Sequence, residues 1–70
     1  MKIVGHISVL NEGAAKGDLR VEGRGETTTV YTADLVAAKI PTKVGTRLLF
    51  RIGVRPPGGD TAAIDLEKLG

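Results

Sequence analysis

Lys16 and Arg20 sit two residues either side of Asp18, and Tyr31 ends the β-branched run Thr27-Thr28-Thr29-Val30. In an extended chain, residues two apart share a face, so Lys16 and Arg20 point the same way. Arginine bonds phosphate and also lies flat on a base plane, while a tyrosine ring offers a surface on which a base stacks. Tyr31, Lys16, Arg20 and the neighbouring Ser8 are therefore the candidate nucleic-acid contacts. Two bland readings compete with this one. Asp18 and Glu22 are expected to neutralise the two cations in part, as solvated hairpin charges, and a lone exposed tyrosine on a strand commonly packs against its cross-strand neighbour.

The remaining reactive side chains support no catalysis. The chain has no cysteine and one histidine, His6, so there is no disulfide, thiolate metal site or histidine cluster. His6 is expected on the surface near a strand end. The acidic residues have no metal-ligand spacing. The expectation is a protein that is not an enzyme and carries no cofactor. Arg47, Arg51 and Arg55 recur along one strand face with about 13 Å between neighbours and are expected to serve solubility and edge protection. Gly23-Arg24-Gly25 and Gly58-Gly59 lack the strand-to-helix setting of a phosphate loop and are expected to form turns.

These side chains must be positioned by very little protein. Seventy residues allow one domain, spanning 1–70. A net charge of +2 permits a nucleic-acid partner without demanding one, and 26% charged with 41% hydrophobic residues argues for a folded chain. No apolar run approaches the roughly 20 residues of a spanning helix; a cytoplasmic protein with no membrane partner is expected.

Period-two patterns mark five strands. The first covers Gly5–Leu10, with Ile3, Ile7 and Val9 on one face. The second covers Asp18–Glu22, with Leu19 and Val21 inward, and the third is Thr27–Thr32, paired with the second around Gly23–Gly25. Tyr31 is expected outward between inward Val30 and Thr32. Asp34 is expected to cap a helical turn through Leu35–Lys39 that Pro41 stops. Arg47–Arg55 is the clearest strand, with Leu48, Phe50, Ile52 and Val54 inward. After a Pro56–Asp60 loop, the last strand turns Ala62, Ile64 and Leu66 inward and Ala63 and Asp65 outward. The prediction is an all-β fold: a small five-stranded antiparallel OB-type barrel with a short helical turn between strands three and four, an SH3-like barrel being the alternative.

The order of these segments resembles the cold-shock domain family over almost the whole chain. Gly5-His6-Ile7-Ser8-Val9-Leu10-Asn11 is similar to the family's first strand, and Lys16-Gly17-Asp18-Leu19-Arg20-Val21 stands in the place of its first ribonucleoprotein motif. Val30-Tyr31-Thr32-Ala33 stands in the place of the second. Val44-Gly45-Thr46-Arg47-Leu48-Leu49-Phe50-Arg51-Ile52 and Ala62-Ala63-Ile64 resemble the later strands. The resemblance implies single-stranded RNA or DNA as partner. The platform departs from the family pattern: Val9 and Leu10 stand for Trp and Phe, Asp18 and Arg20 for two phenylalanines, and Ala33 for a histidine. Two extra residues also lengthen the connection from Asn11 to Lys16. Since a stacked base contributes about 1–3 kcal/mol, the expected function is weak, largely sequence-nonspecific single-strand binding. The competing expectation is a protein–protein or self-association module, a homodimer for example, with nucleic-acid binding lost and Val9, Leu10, Tyr31 and Ala33 as an apolar patch.

Overall fold

The computed structural model describes residues 1–55 and 58–69. Five strands form one antiparallel sheet: β1 (Ile3–Asn11), β2 (Lys16–Val21), β3 (Thr27–Tyr31), β4 (Arg47–Arg55) and β5 (Asp60–Lys68). A short helix, α1 (Thr32–Ala37), joins β3 to β4. The order across the sheet is β3-β2-β1-β4-β5. β3 and β5 are its edges, and no backbone ladder joins them among the described residues. Both edges nonetheless pack on one core, to which β3 gives Val30 and β5 gives Ala63. Among the described residues no helix is long and apolar enough to cross a membrane.

Alternation drives the burial. Along β2, Gly17, Leu19 and Val21 are buried while Lys16, Asp18 and Arg20 are exposed. Phe50, Ile7, Leu19, Leu35, Leu48 and Val30 are fully buried, each contributing about 1.5–3 kcal/mol by leaving water.

Two bulges break the simple period and account for several departures from expectation. On β1, Ile7 faces Leu19 but Val9 faces Asp18, which leaves Ser8 as an extra residue. The extra residue reverses the faces beyond it: Val9 is exposed and Leu10 packs against the core, the opposite of what unbroken alternation predicts. On β5, the register shifts between the pairs Leu49–Glu67 and Arg51–Ile64, and Asp65 there adopts a left-handed φ of 53°. Ala63 accordingly lies in the core, and Leu66 packs against it. Ile52 and Val54 of β4 are exposed. Their strand runs on past Phe50, the last β4 side chain in the core.

The helix ends in a Schellman motif. The Ile40 N–H donates to the Leu35 carbonyl at 2.9 Å and the Lys39 N–H to Val36 at 3.0 Å, with Lys39 at a φ of 59°. Leu35 and Ile40 are both buried in the core, the apolar contact that accompanies this cap. Pro41 follows the motif. The start of α1 differs from expectation: the N-cap is Tyr31, with no side-chain cap, and Asp34 lies inside the first turn. Of the expected Pro56–Asp60 loop, Pro56 and Pro57 lie outside the described residues. Gly59 turns at a φ of 82°, and its N–H donates to the Arg55 carbonyl.

Candidate nucleic-acid interface

The outer face of β1, β2 and β3 is a small grid fixed by strand register. One row runs His6–Arg20–Thr27, the next Val9–Asp18–Thr29, and the third Asn11–Lys16–Tyr31. The register therefore brings together Lys16, Arg20 and Tyr31, with Lys16 directly opposite Tyr31. Ser8 lies beside the grid in the bulge, and its hydroxyl donates to the Asp18 carbonyl at 3.2 Å.

Of the two acids expected to neutralise these cations in part, Asp18 shares their face and Glu22 is engaged elsewhere. Glu22 does not pair with Arg20; its carboxylate is held by Arg47 Nε at 2.7 Å and Nη2 at 3.0 Å. That hydrogen bond is the leading cause holding the Glu22 carboxyl below its ordinary pKa. Arg20 instead turns back over the hairpin tip and donates from Nη1 to the Gly25 carbonyl at 3.2 Å. Lys16 is exposed, and among the described residues neither it nor Asp18 has a salt-bridge partner.

Tyr31 is half-buried. Arg55 lies over its ring, 4.1 Å from the centroid, and its hydroxyl donates to Asp60 Oδ2 at 3.3 Å. Arg55 also forks onto Asp34 at 2.8 and 3.2 Å, which holds the guanidinium still more firmly charged than usual. One face of the ring is thus already occupied by a cation. Sequence reasoning missed Arg55, Asp60 and Asp34 as neighbours of Tyr31. The one available signal was that Arg55 and Asp60 flank a Pro-Gly loop and so stand at the two ends of one hairpin.

The chain matches no protein-family model, no curated protein and no solved structure. The geometry therefore carries the functional argument.

The stripe of Arg47, Arg51 and Arg55 is neutralised by Glu22, Asp65 and Asp34 respectively. It offers no free cationic surface of the kind that Lys16 provides. The expected apolar patch is also divided: Val9 is exposed on the grid, Leu10 packs inward, and Ala33 sits on α1. Among the described residues, no group of three or more His, Cys, Asp or Glu could hold a metal ion.

Proposed function

We propose that this chain is a cold-shock-like OB barrel, not an enzyme, that binds single-stranded RNA or DNA weakly and with little overall sequence preference. The contact face is the outer grid of β1–β3. The reading rests on one observation: strand register sets the unpaired Lys16 directly opposite Tyr31 and places Arg20 on the same face. Separate backbone phosphates bond Lys16 and Arg20, a base stacks on the Tyr31 ring face opposite Arg55, and Ser8 bonds at the margin. The barrel is favoured because the two sheet edges share one core and are bridged by the Tyr31–Asp60 hydrogen bond.

Titration of a labelled oligothymidylate, read by anisotropy and by Tyr31 emission, tests this. Tyr31 is the sole tyrosine and there is no tryptophan, so its emission is a local probe of stacking. Binding should quench it. The logarithm of Kd should rise with the logarithm of salt concentration, with a slope of about 0.7 per phosphate contact. Lys16→Ala should lower that slope by about one contact. Salt-independent binding with unchanged Tyr31 emission would overturn the reading.

A further inference from the structure

The centre of the contact face holds a residue that a phosphate-binding surface does not need. Asp18 lies between Lys16 and Arg20 on β2, roughly 7 Å from each by strand geometry, yet its carboxylate bonds neither of them nor any other described residue. A carboxylate and a phosphate both only accept hydrogen bonds, so Asp18 repels the backbone of any strand lying on this face. Its two oxygens are suited to a group with two adjacent N–H donors.

The surroundings of Asp18 define the rest of the ligand. A shallow hollow of about 170 Å³ opens here, lined by Val9, Asn11, Lys16, Gly17, Asp18 and Thr29. That volume is close to the ~150 Å³ known to admit a benzene-sized ring, the size of the six-membered part of a base. Val9 and Thr29 are the cross-strand partners of Asp18 and supply methyl groups to the faces of a flat ring. Asn11 Oδ1 is already spent accepting the Ala14 N–H at 3.2 Å. What Asn11 retains is its NH2, a donor, and Lys16 adds a second donor. The hollow thus combines a two-oxygen acceptor with amide and ammonium donors.

We infer that the hollow between Val9, Asn11, Asp18 and Thr29 is a base site selective for guanine within a single strand, an inference that rests on the nucleic-acid reading above. Guanine alone among the common bases presents two neighbouring donors, N1–H and N2–H2, beside an acceptor, O6. Asp18 accepts from the two donors, and Asn11 or Lys16 donates to O6. Adenine and cytosine each offer one exocyclic amine next to a ring acceptor that the carboxylate repels. Uracil and thymine set a single N–H between two carbonyl oxygens. The surface is thereby tolerant along the strand and selective at one nucleotide.

Anisotropy titrations compare labelled oligothymidylate heptamers whose central base is dT, dA, dG or deoxyinosine, which keeps N1–H but lacks the N2 amine. The dG heptamer should bind on the order of 10-fold more tightly than the dT or dA heptamer, with deoxyinosine between them. Asp18→Asn and Asp18→Ser should both reduce dG binding to the dT level without weakening dT binding, since each removes a charge that repels phosphate. Asp18 is exposed, and circular dichroism confirms that each variant folds. Equal binding of dG and dT by the wild type, or a dG preference that survives both variants, overturns the guanine site and leaves the single-strand reading standing. Failure of the wild type to bind any heptamer overturns both.

Discussion

The Tyr31 ring on β3 lies beneath the guanidinium of Arg55 on β4, 4.1 Å from its centroid, although these strands stand three places apart in the sheet. The contact, with the Tyr31–Asp60 hydrogen bond, ties the β3 edge to the far end of the β4–β5 hairpin. Tyr31 therefore has a fold role beside its proposed binding role, and the two separate by substitution. Tyr31→Phe keeps the ring under Arg55 and loses only the hydroxyl bond, which should cost about 0.5–1.5 kcal/mol in urea unfolding. It should leave base stacking intact. Arg55→Ala should lower the melting temperature more than Arg24→Ala, whose contact to Glu26 is 3.9 Å between exposed groups. Equal melting temperatures would show that the seam contributes nothing.

Gly5 and Gly17 are fixed by space, not by backbone angle. A Cβ on Gly5 would lie 2.7 Å from the Arg20 carbonyl oxygen and 2.7 Å from the Phe50 ring, and one on Gly17 would run into the Val9 carbonyl oxygen. Strand backbone cannot swing aside as a side-chain tip does. Gly5→Ala and Gly17→Ala should each destabilise by about 1–3 kcal/mol. Gly13→Ala, where the nearest atom is 3.6 Å away, is the control and should unfold close to the wild-type midpoint.

Lys39 occupies the left-handed position that ends α1, where glycine is usual. A side chain there costs about 1–2 kcal/mol, against about 0.5–1 kcal/mol of extra unfolded-chain freedom for glycine. Lys39→Gly should therefore stabilise by up to about 1.5 kcal/mol. A midpoint below wild type would mean that the Lys39 side chain makes a contribution larger than its strain.

Glu22 titrates below the ordinary glutamate range chiefly because Arg47 hydrogen-bonds its carboxylate. The folded chain thus releases this proton more readily than the unfolded chain does. The stabilisation is complete above the ordinary value of about 4.3 and is lost as pH falls through the lower folded value. Glu22→Gln should lose less stability between pH 6 and pH 3 than wild type, measured as the shift in urea midpoint. The difference is small because both groups face solvent, and an identical acid loss in the two proteins would dismiss the pair.

How much of this was legible in the sequence depends on how local the determining interaction is. The bounds of β4, the inward Leu19 and Val21, and the shared face of Lys16 and Arg20 follow from period two alone. The bulges at Ser8 and near Asp65 do not, because one added residue leaves no compositional mark and only the pairing strand reveals it. Val9, Leu10 and Ala63 were misplaced for that reason. The arginine stripe was legible as a stripe but not as a neutralised one, since its acids lie 14 to 25 positions away in the chain. The unpaired state of Asp18 was hidden likewise: Arg20, two residues on, folds back onto the Gly25 carbonyl instead of reaching it.

Among the described residues the edge strands β3 and β5 are each laddered on one side only, and the Tyr31–Asp60 hydrogen bond links the end of one to the start of the other. An uncovered strand border is a template for fibril growth. Breaking this side-chain link should therefore leave both borders more open to a second chain, read as thioflavin-positive material on long incubation.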